Sequence, residues 1–143
     1  MKMNQKMKNF EEIKAGEQII AIIIYHRYSK DGIEFFTPGD FSQQLGYMKH
    51  KKGDSIQQHM HKLQARNISY TQETLFVKRG RVKVNFYTDD KAFLTSRELE
   101  SGDVVLLASG GHGFEFLEET EMIEVKQGPY CGDQDKVRFE STG

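Results

Sequence analysis

The 143 residues carry 20 lysines and arginines against 21 aspartates and glutamates, a net charge of −1. The two signs are interspersed, so no one-signed field is available to hold a polyanion or an anionic membrane surface, and neither nucleic acid nor membrane is expected as a partner. The length suits one domain with a single core, and the longest apolar run, residues 19–25, falls well short of the ~20 residues that span a bilayer.

No export signal is visible, and the lone cysteine, Cys131, has no partner for an intramolecular disulfide or a CxxC site. A reducing cytoplasm is the expected compartment. Gly132 and Asp133 next to Cys131 supply no base to activate it, so it reads as an inert thiol. The basic run Lys49-His50-Lys51-Lys52 precedes Gly53 and reads as a solvated turn rather than a phosphate track.

In chain order, residues 1–18 hold charged positions such as Lys2, Lys6, Lys8, Glu11 and Glu12 with few apolar ones. They read as a short N-terminal arm, mobile or forming one short helix, ahead of a single domain over residues 19–143. From residue 19 onward, β-branched and aromatic runs alternate with turn residues, the pattern of an all-β chain. Strands are predicted over residues 19–28 and 33–36, separated by Ser29-Lys30-Asp31-Gly32, where Asp-Gly accepts the positive φ of a hairpin turn.

After the turn Thr37-Pro38-Gly39-Asp40, strands follow over residues 45–49, 55–61 and 68–77. Val82, Val84 and Phe86 then alternate with Lys83, Asn85 and Tyr87, the period-2 signature of a strand with one face on a core. Asp89-Asp90 turns the chain into a strand over residues 93–99. Residues 104–107 are apolar on both faces, as in a strand covered on both sides. His112, Phe114 and Phe116 share a face of the next strand, and residues 122–126 supply the last. About ten short strands at this spacing predict a closed or sandwiched antiparallel barrel.

Three of the five histidines and one glutamate stand out within this frame. On a strand, residues i and i+2 point to one face, so His59 and His61 aim both imidazoles the same way while Met60 faces opposite. Later strands can add Glu73 and His112, completing a three-nitrogen, one-oxygen set suited to divalent Zn, Fe, Ni, Mn or Cu. An H-x-H pair alone also fits an exposed polar face or hydrogen-bonded imidazoles. The glycines argue for a site: Gly53 stands six positions before His59, Gly80 seven after Glu73, and Gly102 six before Ala108, each where a turn resets strand direction. His26 and His50 are expected outside the set.

These residues resemble the two motifs of the cupin superfamily, small jelly-roll β-barrels. The first motif runs G, five residues, H-x-H, three or four residues, E, six residues, G. Gly53, His59, His61, Glu73 and Gly80 match it, except that eleven residues, 62–72, separate His61 from Glu73. The second runs G, five residues, P-x-G, two residues, H, three residues, N. Gly102, Gly110 and His112 match it, while Ala108 replaces the proline, one residue is missing before the histidine and Phe116 replaces the asparagine.

The resemblance covers about residues 45–127. It implies an antiparallel jelly-roll barrel, a divalent metal cofactor (Zn, Fe, Ni or Mn) held by His59, His61, Glu73 and His112, and a homodimer. A dimer is also suggested by the run at residues 19–24, which is more apolar than a lone edge strand tolerates. The sequence further looks like short single-domain cupins associated with bacterial surface-polysaccharide and nucleotide-sugar pathways, which implies a small polar metabolite such as a sugar or nucleotide-sugar as substrate.

Four protein ligands leave open positions on an octahedral ion. Such an ion polarises a carbonyl for isomerisation or epimerisation, or holds O₂ for a dioxygenase if it is iron. Tyr70, Glu115 and Glu124 are the available proton-transfer groups, each also readable as a plain strand residue. Phe114 and Phe116 are expected to line the pocket, and Arg66 is the candidate for a substrate phosphate or carboxylate, since guanidinium pairs bidentately with such groups. The same cavity also fits a non-catalytic metal-containing module that binds or senses a metabolite. The absence of a helix-turn-helix pattern argues against a transcriptional sensor.

Overall fold

The computed structural model describes residues 9–141. Ten strands form it: β1 (Phe10–Ala15), β2 (Gln18–Ile24), β3 (Gly32–Phe35), β4 (Gly46–Lys49), β5 (Glu73–Arg79), β6 (Arg81–Tyr87), β7 (Phe93–Glu100), β8 (Val104–Leu107), β9 (Gly111–Phe116) and β10 (Glu121–Lys126), followed by a 3₁₀ turn at Gly132–Asp135. Among the described residues no helix is long and apolar enough to cross a membrane. The pairings are antiparallel throughout. They make a five-stranded sheet in the order β1-β2-β8-β5-β10, a three-stranded sheet β7-β6-β9 and the hairpin β3-β4. The chain is therefore all-β and antiparallel, as its period-2 runs predict, and its strand pairings form separate sheets rather than running round a closed barrel.

The two larger sheets meet face to face through one apolar layer. Val82, Val84 and Phe86 of β6 are fully buried against Ala21, Ile23, Leu75, Val77, Val105 and Leu107 of the wider sheet. The unbroken apolar run of β2 has the physical reason that both of its faces are covered. Ala21 and Ile23 face the narrower sheet, while Ile22, with Leu106 and Ala108, sits beneath Phe10, Phe36, Phe41 and Leu45 on the far side. β2 lies between β1 and β8, so it is not an edge strand, and its apolarity is explained within one chain without a dimer.

Two local expectations change. Residues 9–18, expected as an arm or short helix, carry β1, because Ile13 packs into the core and the segment pairs along β2; residues 1–8 of that expected arm lie outside the described residues. Residues 50–72 form no strand, although strands were expected over residues 55–61 and from residue 68. Period-2 patterning marks a segment able to be a strand, but a strand also needs a neighbour for its backbone groups, and here none is paired to it.

Two glycines and an aspartate fix the turns that the motif spacings single out. At Gly80 φ is +99°, and an added Cβ would lie 2.4 Å from the carbonyl oxygen of Glu119, so only glycine fits between β5 and β6. At Gly102 φ is +91°, with His26 Cβ 2.8 Å from the same position. The neighbouring Asp103 carboxylate is buried and accepts from the backbone N–H groups of His26 and Glu100, both at 2.7 Å, with His26 Nδ1 at 3.0 Å. His26 is thereby committed to the β7–β8 turn, outside the candidate metal set.

The sheets are also joined by charge. Glu11 on β1 is buried and takes a bidentate pair from Arg97 on β7, at 2.8 Å for both contacts, plus the Tyr25 hydroxyl at 2.9 Å. Removing one member of such a pair strands the other without its counter-charge. Arg97→Ala should therefore lower unfolding free energy in urea by about 3 kcal/mol, whereas the double replacement Glu11→Leu/Arg97→Met should cost less than either single truncation. In the shared core, Phe86→Ala should cost about 3–5 kcal/mol in the same assay, from lost burial and the cavity left behind.

Candidate metal site

β5 begins at Glu73, and its side chains alternate so that Glu73, Leu75 and Val77 face inward. On β9, His112, Phe114 and Phe116 stand opposite Phe86, Val84 and Val82 of β6, which places them on the inner face of the narrower sheet. The two faces meet at the polar end of the core: His112 Nε2 lies 3.2 Å from Glu73 Oε2, with the glutamate side chain 13% exposed and the histidine 32%. Phe114 packs against the core, tilted against the His112 ring at 5.7 Å and stacked on Phe116 at 6.4 Å between centroids. Phe116 is more than half exposed.

Glu124 on β10 lies near enough to Glu73 for each carboxyl to shift the other's titration. The two carboxyls titrate in opposite directions. The hydrogen bond from His112 holds Glu73 below the usual carboxylate range, against the opposing effect of burial. Glu124 is raised, first by desolvation of its carboxyl and then by the negative charge of Glu73. The arrangement is a carboxylate held between an imidazole and a carboxyl that keeps its proton to higher pH than an exposed glutamate does.

The contact distance between Glu73 and His112 also bears on metal binding. Two ligands each about 2.1 Å from one ion are separated by roughly 3.0 Å when cis on an octahedron and roughly 3.4 Å on a tetrahedron. The observed 3.2 Å falls between, a separation that two ligands of one ion share with a hydrogen-bonded ion pair.

His59 and His61 are elsewhere. They lie outside any strand, in a run in which every residue from 48 to 71 is exposed. Their rings nonetheless lie close together, 5.3 Å apart between centroids. His59 Nδ1 lies 2.9 Å from the carbonyl of Gln57, a contact that places the proton on Nδ1 and leaves Nε2 free as a ligand. Among the described residues no group of three or more His, Cys, Asp or Glu side chains is close enough to hold a metal. The structure thus brings Glu73 and His112 together and leaves the H-x-H pair apart from them, because residues 50–72 form no strand.

The other candidates divide similarly. Arg66 is exposed on the same segment. The Tyr70 hydroxyl donates to the carbonyl of Asp40 at 3.1 Å. Glu115 lies on the outer face of β9, where it accepts from Asn85 at 2.8 Å, so of the three proton-transfer candidates it is Glu124 that stands beside the pair. His50 lies 3.9 Å from Asp54, within its own turn. Cys131 is exposed and free. A cleft of about 770 Å³, lined by Tyr25, Arg27, Arg81, Lys83 and Arg97 among others, opens along β7. It had no motif to announce it, since its residues come from separate strands and mix both signs of charge. Comparison with family models, with curated proteins and with solved structures gave no match.

Glu73→Gln removes the charge that lifts Glu124. The Glu124 carboxyl should then titrate at lower pH, keeping only the part of its shift due to desolvation, as read from the carboxyl ¹³C shift over a pH series. An unchanged Glu124 titration would mean that the two groups do not interact.

Proposed function

We propose that this chain is a cupin-like, jelly-roll protein of the cytoplasm that uses a divalent metal, held by His59, His61, Glu73 and His112, to act on a small polar metabolite such as a sugar or nucleotide-sugar. The single observation that carries the reading is the Glu73–His112 contact across the two sheets. It joins a residue of each resembled motif, at a distance that suits two ligands of one ion. The donor set of three imidazoles and one carboxylate suits Zn, Fe, Ni or Mn. A divalent ion there would supply Lewis-acid polarisation of a substrate carbonyl or hydroxyl.

This chain's own residues supply the rest. Glu124, kept protonated to higher pH by desolvation and by Glu73, is suited to hand a proton to a substrate oxygen or carbon and to take one back, as isomerisation or epimerisation needs. Phe114 and Phe116 form an apolar wall beside His112 and would exclude water from one side of the substrate. Arg66 travels with the H-x-H segment and would meet a substrate phosphate or carboxylate bidentately.

The test begins with metal analysis of protein purified without a histidine tag. About one equivalent of divalent metal per chain is expected, falling to background in His59→Ala and His61→Ala and partly retained in Glu73→Gln through the three imidazoles. A full equivalent in the His59→Ala protein would overturn the ligand set. With metal in place, nucleotide sugars and keto acids are screened for turnover, where Glu124→Gln should lower kcat at least tenfold while leaving metal content intact. Saturable binding of such a compound without turnover would favour the non-catalytic module.

A further inference from the structure

After β10 the chain turns back along the margin at which Glu73 and His112 meet, and its two anchors fall beside those two residues. The first is Asp135, whose carboxylate lies 3.7 Å from Lys126 Nζ and accepts from the Thr71 hydroxyl at 3.3 Å. Lys126 is the register partner of Glu73 on β5. Lys136, next in the chain, lies near enough to Glu124 for its charge to favour the ionised carboxyl. The second anchor is Phe139. Its ring packs edge-on against Tyr87 at 5.1 Å and lies over Gly111, the residue before His112. The Tyr87 hydroxyl also donates to Ser141 at 2.9 Å. Residues 136–138 therefore cross from the neighbour of one site residue to the neighbour of the other.

Gly111 makes the second anchor a built socket. A Cβ at this position would lie 2.8 Å from Phe139 Cζ and 3.2 Å from Tyr87 Cβ. The φ of Gly111 is not positive, so its backbone does not call for glycine; the absent side chain leaves room for the ring. Between the anchors little holds the segment down. Lys136, Val137 and Arg138 are exposed, Val137 at 74%. Among the described residues the backbone of residues 128–140 makes no hydrogen bond to either sheet. A segment with few buried apolar contacts opens at far lower cost than the sheets beneath it.

The geometry points to a strap: we infer that residues 128–141 close over the Glu73–His112 site, and that release of Phe139 from its socket opens the margin between β10 and β9 to metal and substrate. This rests on the site reading above and deepens it, because it gives the site a route of entry and names the residues that control it.

The test measures access to His112. The full chain, freed of metal by chelator, is treated with diethyl pyrocarbonate, and acylation of each histidine is followed by mass spectrometry. Phe139→Ala empties the socket and Gly111→Ala fills it, so the two variants undock the strap from opposite sides. In both, His112 should react about fivefold faster than in the wild type, the change expected when one aromatic contact is taken from a closed state. His59, which is exposed, and His26, held at the β7–β8 turn, should keep their wild-type rates.

An unchanged His112 rate in Phe139→Ala would overturn the inference. So would a rise shared by His26, since the sheets themselves would then have loosened. Phe139→Ala leaves β9 untouched and decides the matter if Gly111→Ala does not fold. Entry has its own readout, with cobalt(II) alone as the probe. Phe139→Ala should take up the ion faster than the wild type, to the same final content, and equal uptake rates would remove the gating role. A wild type that binds no cobalt would defeat the metal reading, while the strap would still be decided by the acylation of His112.

Discussion

Everything in this molecule is positioned by the single apolar layer between two sheets of different width. Because Val82, Val84 and Phe86 on the narrower sheet interleave with Leu75, Val77 and Val105 on the wider one, the registers of β6 and β9 against each other decide which side chains reach the interior. His112 stands opposite Phe86, and that alone sends its imidazole toward the wider sheet. Glu73 is inward for the same reason, two residues before Leu75. A one-residue slip in either strand would turn the side chain into solvent, so the polar contact is a by-product of apolar alternation.

The two lateral margins of the sandwich are closed by different means. On one side the buried Glu11–Arg97 pair, with the Tyr25 hydroxyl, ties β1 to β7. That join is fully satisfied within one chain and fixed by bidentate geometry. On the other side the join is the Glu73–His112 contact with Glu124 beside it, and the burial there is incomplete. Charged groups in a part-desolvated place respond to one another strongly, which is why one carboxyl is lowered and its neighbour raised. The first margin is buried and fully paired, while the second keeps its imidazole partly in solvent.

Much of this was legible in the residues. The strands over residues 82–87, 93–99 and 104–107 follow directly from alternation and turn chemistry, and Gly80 and Gly102 fall at positive φ in tight approaches. The inward sharing of Glu73 with Leu75 and Val77, and of His112 with Phe114, was equally readable, because period 2 is a local property. What was not readable was long-range pairing. Residues 55–61 have the pattern of a strand but no partner in this structure, and β1 hides among charged residues because Glu11 is buried by an arginine 86 positions away. The partners of the Tyr70 and Glu115 side chains were unreadable for a related reason, since the turn and the outer-face residue that engage them lie 30 residues off in each case.

Gln72 gives the exposed segment before it a fixed end. Its side-chain oxygen accepts from the backbone of Gln43 and the hydroxyl of Ser42, and its carbonyl accepts from the Gln127 backbone, so the chain is clamped immediately before β5. The residues between His61 and that clamp form a tether whose reach is bounded by about 3.3–3.6 Å per residue. The imidazoles can therefore explore only a sphere of a few nanometres about Gln72. Within that sphere, the entropy of closing the tether varies only weakly with its length, so lengthening or shortening it by a few residues changes the cost little.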